Sequence, residues 1–327
     1  MVSGEPVTPI TCDDVETAAA RVHGHVRRTP VLRLDAGAFG LDHPLVLKLE
    51  LLQHAGSFKP RGAFNRVLAA PSVPRAGLVA ASGGNHAIAV AHVGRALGHP
   101  VEIFVPDVTP PTKLDRIRAL GAHVTVGGAL YAEAQAAADL RADETGALLV
   151  HPYDHPDVVA GQGTCGRELD ADEPGLDTVI VAAGGGGLIA GIATWFAGRA
   201  RVVSVEPRTS NCLQAALAAG EPVPVDVSGV AADSLGARQL GAVPFACVRT
   251  AGVLAVTVAD DDIRDAQRAL WREVQLIAEP GGATALAALL SGAYVPEADE
   301  RVAVVVCGAN CDPSTVVSTR GVNTHSR

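Results

Sequence analysis

Two segments carry residues whose types and spacing suit chemistry. Gly184-Gly185-Gly186-Gly187 lies between a β-branched run, Val179-Ile180-Val181-Ala182, and an apolar stretch with helical spacing from Leu188 to Phe196. Successive backbone N–H groups at a helix start, unobstructed by side chains, hold a phosphate. Read as Gly185-x-Gly187-x-x-Ala190, the same run matches a dinucleotide fingerprint, and Glu206, 21 residues after Gly185, stands where a ribose-binding acid belongs. On this segment alone a structural turn, a nicotinamide site and another phosphate site all remain open. The second segment is Gly56-Ser57-Phe58-Lys59-Pro60-Arg61-Gly62-Ala63, a lysine between turn-forming residues and an expected helix. Burial lowers the pKa of an amine, and imine chemistry requires the neutral amine. A surface lysine at a helix start is the plainer reading of the same residue.

The elements that must position these residues follow an α/β grammar of short β-branched runs alternating with helical stretches. Gly77 to Ala81 reads as a strand running into a Ser82-Gly83-Gly84 turn, Asn85 to Leu97 as a helix stopped by Gly98, and Val101 to Val105 as the next strand. Pro110 and Pro111 suit a helix start, Leu114, Ile117 and Leu120 share one face, and Val124 to Val126 follows as a strand. Val202 to Val205 and Val302 to Val306 supply further buried strands, with a charged helix from Asp260 to Gln275 between them. Ser82 and Asn85 also suit simple capping of the following helix, and His86 a solvated first turn. The pattern is one sheet begun, a smaller βαβ unit visited, and the first sheet resumed.

The 327 residues, 48% hydrophobic and 19% charged, exclude low-complexity disorder and suggest about two domains or one large α/β unit. A formal charge of −9 has the wrong sign for gripping nucleic acid or anionic lipid, so neither is an expected partner. The six cysteines are scattered without a zinc-site spacing and read as reduced thiols. The N-terminus lacks the basic start and apolar run of a secretory signal, which implies a cytoplasmic protein. Thr178 to Gly198 carries no charge, yet its four glycines break any continuous spanning helix, so it reads as strand, loop and helix.

With these motifs in place the chain resembles the fold-type II pyridoxal-phosphate enzymes, in their serine/threonine dehydratase and serine racemase branch. The landmarks are Lys48-Leu49-Glu50, Gly56-Ser57-Phe58-Lys59 with Arg61-Gly62-Ala63, and Ser82-Gly83-Gly84-Asn85-His86-Ala87. They continue with His151-Pro152-Tyr153-Asp154, Ala160-Gly161-Gln162-Gly163-Thr164, the four glycines, Glu279-Pro280 and Cys307-Gly308-Ala309-Asn310. The resemblance implies a tryptophan-synthase-β-like α/β fold with two open, twisted, mostly parallel sheets flanked by helices. A large cofactor-binding domain would comprise residues 1–75 and 147–327, and a small mobile domain residues 76–146. It implies pyridoxal 5'-phosphate held as an imine by Lys59, its phosphate gripped by Gly184, Gly185, Gly186, Gly187 and Leu188, Phe58 beside its ring, and Asn85 at its phenolic oxygen. Ser82, Gly83, Gly84, Asn85 and His86 would take the substrate carboxylate, and a homodimer is expected.

Three departures refine the expectation. Cys307 stands where the family commonly has a serine beside the pyridine nitrogen; a thiol with an ordinary pKa of about 8.5 is a weak neutral donor, which suits prompt elimination. Gly83 aligns with the serine that serves racemases as a second proton carrier, favouring one-base elimination. Cys212 aligns with one carboxylate of the family's divalent-metal site, leaving Glu206 as a weak candidate and no metal expected. The chain ends soon after Asn310, implying a catabolic-type enzyme without a regulatory domain. The resulting expectation is an ammonia-lyase (dehydratase) acting on L-threonine or L-serine. Alternatives are a racemase, a lyase on 3-hydroxyaspartate, phenylserine or a hydroxyectoine-derived substrate, or, in another class, a nicotinamide-dependent oxidoreductase. The substrate side chain should face residues Asp233 to Gly241 and His151 to Gly161.

Overall fold

The central strands are apolar on both faces, which demands cover on both sides and suits parallel pairing. The computed structural model describes residues 7–317 except Pro110; the expected helix start at Pro110 and the chain beyond Val317 lie outside the described residues. Ten strands occur among them: β1 (Val31–Leu34), β2 (Leu45–Lys48), β3 (Leu78–Ala81), β4 (Val101–Val105), β5 (His123–Val126), β6 (Leu148–Leu149), β7 (Thr178–Ala182), β8 (Arg201–Pro207), β9 (Leu254–Val258) and β10 (Val302–Val305). They build a six-stranded sheet in the order β1-β2-β10-β7-β8-β9 and a four-stranded sheet in the order β5-β4-β3-β6. Every pairing is parallel except β1 with β2. The chain therefore begins the large sheet, completes the small one, and returns, as the sequence pattern implies.

The stretch from Thr178 to Gly198 is β7, the glycine loop and the helix Gly187–Phe196. Among the described residues no helix is long and apolar enough to cross a membrane. The helix Asn85–Leu97 ends where expected, at Gly98 with φ of 76° in the left-handed region that only glycine enters freely. Sequence patterning did not reveal β1, β2, β6 and β9. Each is short or at a sheet edge, and β2 ends in a charged residue, Lys48, that is nonetheless fully buried.

That burial belongs to an ion cluster anchoring the helix Lys59–Ala69. The side chains of Arg61, Lys48 and Glu50 are all shielded from solvent. The Arg61 guanidinium donates through Nε and Nη2, each at 2.7 Å, to the two oxygens of Glu50. Through Nη1 and Nη2 it also reaches both oxygens of Glu168, at 2.8 and 2.7 Å. Lys48 Nζ donates to Glu168 at 3.0 Å and to the Thr29 carbonyl at 2.7 Å, and the Thr29 hydroxyl donates to Glu50. Planar forks facing carboxylates in this way fix direction as well as distance. Glu50→Ala, which leaves the Arg61 charge half-compensated in the interior, is expected to cost about 3–5 kcal/mol of stability. The urea-unfolding midpoint checks it, and an unchanged midpoint refutes it.

Candidate active site

Lys59 is the first residue of its helix, directly after a segment stitched to the end of the large sheet. Phe58 N donates to the Cys307 carbonyl at 3.1 Å, Ala309 N donates to the Gly56 carbonyl at 2.9 Å, and Ser57 bridges Gly308 in antiparallel fashion. Lys59 keeps some access to the cleft, yet protein surrounds its amine closely. Burial lowers its pKa to about 8, against the raising influence of Cys307 and Glu279. Nζ donates to the Pro152 carbonyl at 2.8 Å and lies 5.1 Å from the centroid of the Phe58 ring. The surface-lysine reading is thereby corrected: hydrogen bonding and packing turn this amine inward.

The residue after Pro152 joins the lysine to the glycine loop. A Cβ added to Gly185 would collide with the Tyr153 ring, and one on Gly187 would fall 3.1 Å from Tyr153 Cβ, so this aromatic side chain lies against the loop. Gly186 has φ of 90° and caps the helix Gly187–Phe196, whose first turn carries the buried Leu188. Gly184 is held from behind, its carbonyl accepting from Cys212 Sγ at 3.2 Å, while the Gly185 carbonyl accepts from Gly241 N at 3.3 Å. Asp154 Oδ1 accepts from Val243 N at 2.9 Å. The stretches expected to face a substrate side chain thus both reach this loop.

Asn85 and His86 open the helix Asn85–Leu97 without capping it; Gly84 is the N-cap and has no side-chain cap bond. Ser82 Oγ instead accepts from Gly84 N at 3.1 Å, folding the turn on itself. Gly83 is packed against Thr109, whose Oγ1 lies 2.6 Å from where a Cβ on Gly83 would stand. His86 is buried rather than solvated, which corrects that reading, and its Nε2 pairs with the Val150 carbonyl at 2.7 Å. Cys307 is buried, its Sγ donates to the Gly281 carbonyl at 3.4 Å, and burial pushes the thiol pKa well up, so it stays neutral.

Glu206 does not face the glycine loop as a free acid. It is fully buried, and its two oxygens accept from Leu213 N and Gln214 N, each at 2.8 Å, while burial raises its pKa to about 7. Shut off from solvent and turned onto these two backbone amides, the carboxylate is not open to a ribose hydroxyl, which removes the physical basis of the nicotinamide reading. Among the described residues no group of three or more His, Cys, Asp or Glu side chains is arranged to hold a metal ion.

Two polar features had no role in the sequence reading. Glu279 is buried, takes a hydrogen bond from Asn85 Nδ2 at 2.5 Å, and has a pKa raised by burial to about 7. The signal was present in Glu279-Pro280, an acid just before a helix, but nothing in the sequence says that it points at Asn85. Arg61 was quoted only as part of a motif; its signal was an arginine two positions after Lys59 on an otherwise apolar helix face.

An inward amine of lowered pKa, an aromatic ring beside it and a four-glycine helix start form the constellation of an enzyme that binds a phosphorylated aldehyde cofactor. The residues fit such a group. The loop backbone carries no side chains over it, and Ser57 Oγ, next to Phe58 and Lys59 in the chain, is buried without a hydrogen-bond partner among the described residues. The family described as pyridoxal-phosphate dependent enzyme matches residues 22–308, and the chain belongs to it. It is 37% identical over 306 residues to L-threonine ammonia-lyase of Geobacter sulfurreducens, covering 92% of this chain and 76% of that one. To L-threonine ammonia-lyase of Thermotoga maritima it is 34% identical, covering 94% and 77%. The fold is similar to that of a threonine deaminase from T.th., with a TM-score of 0.85, 34% identity, and 93% and 99% of the two chains covered. It is also similar to maize serine racemase, with a TM-score of 0.87, 32% identity, and 94% and 95% covered.

Burial first, then the nearby Lys59 charge, depresses the His86 pKa to about 3. Its folded pKa lies below the ordinary value of about 6.5, so the native state binds fewer protons than the unfolded chain between these limits. Its contribution is therefore complete above pH ~6.5 and is lost as pH falls toward ~3. The ring nitrogens of His86 are expected to show no titration between pH ~5 and ~8 in a nitrogen-15 NMR series; a midpoint near pH ~6.5 would contradict the buried, neutral ring.

Proposed function

We propose that the chain is an ammonia-lyase that removes water from a small β-hydroxy amino acid, L-threonine or L-serine by default, to give a 2-oxo acid and ammonia. The observation that carries this reading is the enclosed Lys59 amine, its pKa lowered to about 8 and its Nζ on the Pro152 carbonyl, one residue from the ring packed on the glycine loop. Relatives named L-threonine ammonia-lyase, which align with more than nine-tenths of this chain, support the choice of reaction and substrate.

Lys59 Nζ would hold the cofactor covalently, and the backbone amides of Gly184 to Leu188 would hold its phosphate at the positive end of a helix. Phe58 would pack beside its ring and Asn85 would serve its phenolic oxygen. When bound, pyridoxal phosphate supplies an electron-withdrawing ring that stabilises negative charge left on the substrate Cα. Cys307 would serve the ring nitrogen as a neutral thiol, adding no positive charge there. The turn Ser82-Gly83-Gly84 and the first amides of the helix Asn85–Leu97 hold the substrate carboxylate. The Lys59 amine, in its neutral form, would remove the α-proton of the substrate as general base.

Gly83 supplies no proton carrier to the opposite face, and Thr109 occupies the space that a larger residue there would need. This favours elimination over racemisation, although maize serine racemase shares the fold. In the reading the four-stranded unit closes over the substrate and excludes water. A homodimer, which rests on the family resemblance alone, and a cytoplasmic location, which the unpaired cysteines support, are part of the same reading.

Lys59→Ala is expected to abolish the near-visible absorption of bound cofactor and to lower 2-oxo acid release from threonine by at least about 10²-fold; full turnover by this variant would defeat the mechanism. Exchange of the α-proton for solvent deuterium with inversion, and without oxo acid, would instead establish a racemase. Because attachment needs the neutral amine, uptake of pyridoxal phosphate by cofactor-free enzyme should accelerate as pH rises through about 8. A rate that falls across this interval, followed by stopped-flow absorbance, would contradict the lowered lysine pKa.

A further inference from the structure

Four side chains form a directed hydrogen-bond chain across the cleft between the two sheets. Arg116 Nη1 donates to Asn310 Oδ1 at 2.6 Å, Asn310 Nδ2 donates to Asn85 Oδ1 at 2.6 Å, and Asn85 Nδ2 donates to Glu279 Oε1 at 2.5 Å. Asn310 Nδ2 also donates to the Ala55 carbonyl at 2.8 Å. Arg116 and Asn85 belong to helices Pro111–Ala119 and Asn85–Leu97 of the four-stranded unit; Asn310 and Glu279 adjoin β10 and the helix Pro280–Leu290 of the six-stranded one. Each of the three links therefore crosses from one unit to the other.

The direction of the chain is not arbitrary. A guanidinium can only donate, and a carbonyl can only accept. Arg116 and the Ala55 carbonyl thus fix which way the Asn310 amide faces, and Asn310 then fixes the Asn85 amide, turning its Nδ2 to Glu279. Two glycines admit the chain: a Cβ on Gly56 would lie 2.5 Å from Asn310 Oδ1, and one on Gly308 would collide with Glu279 Oε1. With Oδ1 taken by Asn310 and one N–H by Glu279, Asn85 retains a single N–H for a ligand.

Resting on the functional reading above, we infer that Asn310 and Arg116 are positioning residues: they set the Asn85 amide with its donor toward the cofactor. Lys113, one turn before Arg116 on the same helix, pairs with Asp233 across the same cleft and offers a control that removes one charged pair between the units while leaving every member of the chain in place.

The test uses the holoenzyme and five variants: Asn310→Asp, Asn310→Ala, Arg116→Ala, Arg116→Lys and Lys113→Ala. Asn310→Asp, which faces oxygen with oxygen at Asn85, should lower kcat by about tenfold or more and Arg116→Ala by about threefold, given the usual worth of charge-assisted hydrogen bonds. Both should shift the absorption maximum of bound cofactor. Arg116→Lys should restore most of the loss, and Lys113→Ala should raise KM while leaving that maximum in place. The inference is overturned if Asn310→Asp, or in its place Arg116→Ala should the former not fold, keeps the wild-type spectrum and kcat. It is equally overturned if Lys113→Ala reproduces the spectral shift. Wild-type protein without the absorption band or oxo-acid release would sink the functional reading separately. The chain is then judged on amide hydrogen exchange over residues 84–88, which Arg116→Ala must accelerate and Lys113→Ala must not.

Discussion

The site depends on a buried arginine held by two carboxylates. Arg61 lies two residues beyond Lys59, and its fork joins the helix Lys59–Ala69 to Glu50 at the end of β2 and to Glu168 in the helix Pro156–Asp172. A guanidinium in the interior is tolerable only when every donor is met, and meeting them leaves the helix one orientation. In that orientation the preceding lysine turns its amine to the Pro152 carbonyl instead of to solvent. Lys48, buried at the end of β2, ties the same carboxylate to the sheet.

From that fixed lysine the rest is assembled by backbone. The segment Gly56 to Phe58 pairs with Cys307 to Ala309, so Lys59 and Cys307, the residues expected at the cofactor's aldehyde and ring nitrogen, belong to one stitched corner. The glycine loop is placed by β7, whose neighbours β8 and β10 continue the parallel sheet. Tyr153 spans the remaining gap. Such a site mixes an anion-binding helix start with an interior that disfavours charge, which is why the amine, the thiol and Glu279 all shift toward their neutral forms.

The unit bearing Ser82 to His86 reaches this corner through side chains rather than through sheet. Lys113 to Asp233, Arg116 to Asn310 and Asn85 to Glu279 are polar contacts between the two units. Polar contacts of this kind are directional and separately weak, suited to a junction that opens and closes while each sheet remains intact.

Period and punctuation made much of the fold legible. The helix Asn85–Leu97 and strand β4 coincide with their expected spans because glycine and proline bound them and apolar residues fill them. Lys59 and the four glycines could likewise be singled out from local motifs, since loop geometry and helix starts are properties of a few consecutive residues, whereas Asn85 read locally as a helix cap, which it is not, and stood out only through the family resemblance. Glu206 was legible as a residue but not in its role: sequence spacing suggested a ribose acid or a cation ligand, whereas the fold turns both its oxygens onto the start of the helix Cys212–Ala219. The inward turn of Lys59, the contact of Arg61 with Glu168 and the chain from Arg116 to Glu279 were decided only by tertiary structure. They depend on groups 93 or more residues apart in sequence being brought within hydrogen-bond distance, and neither propensity nor periodicity carries information over such a separation.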